Sequence, residues 1–291
     1  MLKENLEQLF EFIAQHIPAE KIMQAKKEYQ KTTGEIYEDD RSYNTRMALF
    51  LEWYLLDNYI PGTQNTILEN IIEENHLTWD QSHLEACQDI TNNIQALFEV
   101  KRIRDNSTTV LDLFNDKKYL VHEVNSKLVF RKNDIFQGRI VPHKGKWNFT
   151  GYFCFHPNKT QRYLKDEAKK IFLIQRAWKK ELSGLEKELS EKEKNSSKNY
   201  KYIQKVKIKI ERTDKGTKKN NLINKLLFLE HNGNSMAISN QETNKKINRL
   251  KIETIKIEGR NLISELINKL AYMNLKWERS RQIEISDIYK N

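Results

Sequence analysis

The chain has 291 residues, with 38% hydrophobic and 31% charged, which suits a modest globular part joined to long solvated helices rather than one large core. Its net charge of +10 gathers at one end: residues 160–291 carry 31 Lys and Arg against 17 Asp and Glu, and residues 1–159 carry 19 against 23. Two cysteines, Cys87 and Cys154, exclude a disulfide framework, no apolar run is long enough to span a membrane, and Glu4, Glu7 and Glu11 interrupt any signal-peptide core, so a cytoplasmic protein is expected.

Residues 1–96 read as a helical domain. Leu2, Leu6, Leu9, Phe10 and Ile13 recur at three and four, giving one apolar face that Pro18 ends. A second helix is expected from Pro18 to about Lys31, closed by Gly34. Residues 44–58 are apolar in nearly every direction, through Met47, Leu49, Phe50, Leu51, Trp53, Tyr54, Leu55 and Leu56, which predicts a buried central helix. After the Pro61-Gly62 turn, a fourth helix spans about Gln64 to Glu74. A fifth starts at a Thr78/Gln81 capping box and carries Leu84, Cys87, Ile94 and Leu97.

At residue 98 the period changes from about 3.6 to 2. Residues 97–158 read as an antiparallel β module. Its strands lie at 98–103, 109–113, 119–124, 128–130, 135–141 and 147–155, separated by Asn, Asp and Ser turns. Trp147, Phe149, Phe153 and Phe155 share one face of the last strand with Gly151. Gly138 and Gly151 are bulge positions that would let an open sheet or small barrel curl.

Pro157 ends the strands, and residues 159–291 read as a basic helical hairpin, a coiled coil. Leu164, Ala168, Ile171, Gln175, Trp178, Leu182, Leu185 and Leu189 follow alternating steps of four and three. A turn at His231–Asn234 would send the chain back through Leu262, Ile263, Leu266, Ile267, Leu270, Met273 and Trp277. The run Lys205–Ile210 alternates like a strand but has no bounding turn residues, so helix is favoured; Ile252, Ile255 and Ile257 share the ambiguity. The change of period and charge at Pro157 predicts that residues 1–158 fold without the arm.

The arm supplies the candidate site. Lys198, Lys201, Lys205, Lys207, Lys209, Arg212, Lys215, Lys218 and Lys219 form a basic tract with Tyr200 and Tyr202 inside it. Lysines interleaved with aromatics suit phosphates and unpaired bases. The same tract also fits a solvated helix face, and an AT-rich genome would favour Lys by itself. A lipid headgroup surface fits less well, because the basic and apolar stripes are not cleanly paired. The seam at Ile171, Trp178, Leu182, Leu185 and Leu189 could instead join a second chain. Metal ligation has no support: His76 and His83 lie across a helix break, His122 and Glu123 face opposite ways, and only Cys154 and His156 share a face. Phosphate-loop, dinucleotide and nucleophile-elbow motifs are absent, so no cofactor and no catalytic residue are assigned. Glu52 and Asp57, with Asp39, Asp40, Arg41 and Arg46 nearby, could form a carboxylate pair, but a helix cap at Asp39 or Asp40 and an Arg partner for Glu52 or Asp57 explain them more simply.

Arg46–Asp57, Leu111–Leu113, Tyr119–Glu123, Asn133–Pro142 and Phe149–Gly151 together resemble an uncharacterised bacterial family of predatory and gliding lineages, over roughly residues 40–157. The resemblance implies no activity and transfers no residue role. The expected fold is α+β: a helical N-terminal part, a small antiparallel β module and a long antiparallel helical hairpin. The expected function is a non-enzymatic protein whose basic arm engages nucleic acid or a ribonucleoprotein, with a protein-interaction or oligomerisation module as the alternative.

Overall fold

The computed structural model describes residues 2–75, 77–123, 126–280 and 282–290, so the readings at His76 and at Val124 and Asn125 lie outside the described residues. It divides into two compact units, Met1–Ile174 with Gly259–Asn291, and Gln175–Glu258.

The helical layer of the first unit forms for legible reasons. In α1 (Leu2–His16) the spaced residues Leu6, Leu9 and Ile13 are all buried. Pro18 precedes α2 (Ala19–Thr33), and Gly34 at φ +78° closes it with an N–H bond to the Gln30 carbonyl. The apolar α3 (Tyr43–Leu56) is central, with Phe50, Leu55 and Leu56 buried. Two caps differ from expectation. The capping box belongs to α4 (Ile67–Asn75), where Thr66 and Glu69 exchange backbone-to-side-chain bonds of 2.8 and 3.3 Å. In α5 (Gln81–Thr91) the cap is Asp80, whose carboxylate accepts from the His83 N–H, because Thr78 instead donates to the Asn75 carbonyl. Asp39 and Asp40 cap nothing through their side chains at α3; Asp40 pairs with Arg279.

The β module is a closed five-stranded barrel with a short sixth strand added. Its strands are β1 (Ile94–Arg104), β2 (Ser107–Asp112), β3 (Lys117–His122), β4 (Ile135–His143), β5 (Lys146–Phe149) and β6 (Cys154–Phe155). The first part of β1 pairs with β4 and the later part with β2, with a bulge between Val100 and Arg102. The order β1-β2-β3-β5-β4 thus returns to β1. The expected all-antiparallel meander is corrected here: β3 and β5 are parallel, paired at Val121↔Trp147 and His122↔Asn148. The reason is the connection after β3. Leu128 and Val129, expected in a strand, lie in the short helix α6 (Ser126–Val129), and the chain crosses to β1 before turning back through β5. Ile94 and Leu97 belong to β1, not to the fifth helix. Gly151 at φ +99° breaks the expected last strand into β5 and β6. Gly138 is not a bulge; a Cβ there would meet the Phe136 and Phe153 rings at 3.2 Å.

The barrel core extends past residue 158. Leu164, Ala168 and Ile171 from the start of α7 (Gln161–Glu211) lie in it. So do Leu266, Ile267, Leu270 and Met273 of α9 (Gly259–Arg279), and Ile288 of α10 (Ile285–Ile288). Each fully buried Leu adds about 1.5–3 kcal/mol. The expected divisions after residues 96 and 158 therefore do not coincide with the compact units, and α9 is not the returning arm of the hairpin.

One charged cluster ties the helices to the barrel. Arg139 of β4 bonds Glu52 and Asp57 of the α3 end, and Asn93 before β1, all buried. The arginine partner expected for Glu52 or Asp57 is thus found. Burial raises the Glu52 pKa, with Arg139 opposing.

In the second unit the rest of α7 runs beside α8 (Thr217–Arg249) in the antiparallel sense. Lys192–Thr243 at 2.9 Å, Ser196–Asn240 at 3.1 Å and Lys207–Glu230 at 2.8 Å pair the two helices. Lys205–Ile210 is helical, as favoured. The chain reverses at Thr213–Gly216, with Gly216 at φ +149°, and not at His231–Asn234, which lies inside α8. Gly233 serves close approach instead: a Cβ there would meet the Asn199 amide at 3.2 Å. Residues Leu250–Glu258, including Ile252, Ile255 and Ile257, form a π-helical segment.

Candidate nucleic-acid interface

The barrel's outer face follows from its register. Side chains alternate across a strand, so partners in neighbouring strands share a face. Arg104, Ser107 and His122 form one outer row, Arg102, Thr109 and Leu120 the next, and Glu99, Leu111 and Lys118 a third. Between them Val100, Val110 and Tyr119 are buried, as are Thr108 and Val121. The resulting surface is basic, with Leu120 57% exposed at its middle. Its one acid, Glu99, is held by Lys101 and Lys165 at 2.8 and 3.0 Å.

Beside these rows lies a cleft of about 570 Å³. Lys117, Lys118, His122 and Lys146 line it, with Tyr119 and Trp147, and no Asp or Glu does. Tyr119 and Trp147 meet edge to face at 5.1 Å, which fixes the indole at the parallel β3–β5 closure. Among the described residues none of the three lysines makes an ion pair, so their charge is open to a ligand. Lys117 lies 5.2 Å from the Tyr119 ring centroid. The cleft combines strands β2 and β3 with the β1–β2 and β4–β5 loops, through Asn106 and Gly145. It can hold a backbone phosphate against the lysines while a base stacks at Trp147. The strand expected at 119–124 held Leu120 and His122, but nothing in the sequence pointed to Lys118 or to the neighbours from residues 106 and 146.

The arm sorts its basic residues. Lys198, Lys201, Lys205 and Lys209 recur at three and four along α7, Arg212 just past its end keeps the spacing, and all are exposed, so they form one stripe. Lys207 points elsewhere and pairs with Glu230. Lys209, Arg212 and Lys218 share a second cleft, about 540 Å³ and free of acids, at the hairpin reversal. Lys215 is exposed and Lys219 half-buried at the same reversal, neither lining that cleft. Lys225 sits 5.1 Å over the Tyr202 ring and draws the phenol below its usual pKa. Of the seam, Ile171 is buried in the barrel core, while Trp178, Leu182, Leu185 and Leu189 are half-buried in the second unit.

The profile of a family of unknown function, DUF7986, matches residues 1–182. The chain belongs to that family. No curated protein and no solved structure matches it. The DUF7986 region covers both the helical layer and the whole barrel, wider than the resemblance over residues 40–157, and ends before the first lysine of the basic stripe. Among its described residues no group of His, Cys, Asp and Glu could hold a metal, and no helix is long and apolar enough to cross a membrane. Cys154 accepts from Asn274 at 3.3 Å, and His156 meets the Tyr289 hydroxyl at 3.0 Å. Burial pushes the Cys154 thiol up to about 12 and His156 down to about 3. Neither group is poised for nucleophilic or acid–base work at neutral pH.

Proposed function

We propose that this DUF7986 protein is a non-enzymatic binding protein for single-stranded nucleic acid, free or within a ribonucleoprotein. The observation that carries the reading is the acid-free cleft on the barrel, with Lys117, Lys118 and Lys146 around Trp147. Five-stranded Greek-key barrels of the OB class take oligonucleotides on strands 2 and 3 and on the loops joining strands 1–2 and 4–5. The cleft occupies those strands and loops. The parallel is one of topology; the lysines and the indole of the site itself support the function. The stripe Lys198–Arg212 would add sequence-independent phosphate contacts.

A second reading has support of its own. Ile223, Leu227 and Phe228 of α8 are exposed, Phe228 to 65%, and such residues suit a protein partner for the hairpin, the seam being only half covered.

The test is fluorescence anisotropy of labelled single-stranded DNA, single-stranded RNA and duplex DNA across a salt series. Replacing Lys117, Lys118 and Lys146 with Gln should lower the single-strand salt slope by roughly 2. Trp147→Ala should cost about 1–3 kcal/mol of single-strand binding. Replacing Lys201, Lys205, Lys209 and Arg212 with Gln should lower the duplex slope by about 3 to 4. Absence of binding at ~50 mM salt removes the nucleic-acid reading. A concentration-dependent mass in sedimentation would then favour the hairpin as a protein contact.

A further inference from the structure

Away from the barrel's outer face, the first unit holds a smaller, partly open cavity of about 210 Å³. Arg46, Asn274, Cys154, Tyr29 and Phe153 are among its walls, from α2, α3, α9 and the segment around β6. Arg46 is only 8% exposed. Of its five N–H donors, one from Nη2 reaches the Thr33 carbonyl at 2.7 Å. Its Nε is buried with no partner. Among the described residues no carboxylate is in contact with it: Asp40 is taken by Arg279, and Glu278 accepts from Ser42 and Asn274. Burial lowers its pKa, with the Tyr29 phenol opposing.

A buried cation without an anion is costly, and proteins keep such groups paired or hydrogen-bonded. Arg139, also buried in this unit, obeys the rule with two carboxylates. Arg46 meets it through a single carbonyl, with its Nε left bare, while lining a cleft. A second orphan stands in the same walls: Asn274 is 7% exposed and its Oδ1 accepts nothing, its amide nitrogen being spent on Cys154 and Glu278. Arg46 and Asn274, each with one buried polar atom lacking a partner, thus line one cleft that also has aromatic and aliphatic sides. The volume lies below the ~300–1,000 Å³ of pockets for drug-sized ligands. The occupant must be small, anionic at one end, and able to donate a hydrogen bond.

We propose that this cavity binds a small carboxylate that also carries an ammonium or hydroxyl donor, the chemistry of an amino acid or a 2-hydroxy acid. The carboxylate would accept from the Arg46 guanidinium. The donor would meet Asn274 Oδ1, with Glu278 adding negative charge on that side. Phe153 and Leu49 would pack on an apolar side chain. Acetate meets only the first of these demands, and inorganic phosphate, whose P–OH groups can donate, lacks the apolar side chain.

The test uses the full chain with L-leucine, L-valine, 2-hydroxyisovalerate, acetate and inorganic phosphate, each to ~10 mM, tenfold above a weak millimolar Kd. Arginine Nε–Hε resonances are followed by NMR, the Arg46 signal being assigned by its loss in Arg46→Lys. An amino or hydroxy acid should shift that signal saturably and raise the melting temperature. Asn274→Leu should weaken binding ~10-fold or more, the loss of one hydrogen bond with a charged partner. Because Arg46 also holds Thr33, Thr45→Phe provides a variant that fills the cavity and leaves that bond intact; it should abolish the shift with unchanged circular dichroism. Equal responses to acetate and phosphate would overturn the ligand class. No saturable response to any probe, or binding that survives Thr45→Phe, would overturn the site.

Discussion

Arg139→Met removes the cation that joins α3 to the barrel while keeping a long apolar side chain in its place. Arg139 is 1% exposed, and Glu52 and Asp57 are 2% and 6% exposed, so both carboxylates would remain inside without a cation. Removing one partner of a buried ion pair costs about 3–5 kcal/mol. That is a large share of a typical total of roughly 5–15 kcal/mol. The loss should depend on pH in a definite direction. Burial holds Glu52 above the ordinary carboxylate value, and Arg139 is the largest influence opposing it. The folded chain therefore holds that proton more tightly than the unfolded chain. Its contribution is complete below the unfolded value near 4.3 and is lost as pH rises through the raised folded value. Without Arg139 the loss steepens, so the gap between wild type and variant should widen from about pH 5 to about pH 8. Urea unfolding followed by tryptophan fluorescence measures it. Adding Glu52→Gln to the variant should recover part of the stability at the higher pH. A cost under about 1 kcal/mol, or one equal at both pH values, would refute the account of a buried cluster held by its arginine.

Gly34→Ala should destabilise the first unit by about 1–3 kcal/mol in thermal melts, because φ is +78° and a Cβ would fall 2.6 Å from the Tyr272 ring. In the hairpin, Ile203→Ala should cost about 2–4 kcal/mol by hydrogen exchange, since Ile203 is 8% exposed. The half-buried Leu182 should cost roughly half as much on the same substitution, and Glu186→Ala little, its bridge to Lys251 being exposed. The fragment 1–158 should fail to melt cooperatively, because Leu164, Ala168 and the α9 leucines are missing from its core. A chain with residues 175–258 replaced by a Gly/Ser linker should keep the transition.

Local signals carried much of the fold. Leu6, Leu9 and Ile13 read as one face because a helix repeats every 3.6 residues, and the strands at Ser107–Asp112 and Lys117–His122 alternate openly. What failed was non-local. Nothing near Val121 says that Trp147 will lie beside it in the parallel sense. The apolar stripe Leu266, Ile267, Leu270 and Met273 looks the same whether it faces another long helix or a barrel. Asn232-Gly233 reads as a turn, yet the glycine admits Asn199 between two helices. The basic tract was visible as composition, but only the helical phase separates the exposed stripe from the paired Lys207. Arg46 was noted as a charge beside a buried helix; its lack of an anion became visible only when Asp40 and Glu278 proved to be engaged elsewhere.

The first unit is interrupted in the chain: its last part, Gly259–Asn291, arrives after an 84-residue insertion, Gln175–Glu258. At the usual pace of about 5–20 residues per second, translation needs roughly 5 to 18 s to go from Ile174 to Leu266. Throughout that interval the barrel lacks Leu266, Leu270 and Met273, and the apolar surface they cover is open to other nascent chains. The hairpin, built from local contacts, can form on the ribosome well before then. A newly made molecule is thus expected to carry a finished arm and an unfinished core, and ribosome-associated chaperones would meet it in that state.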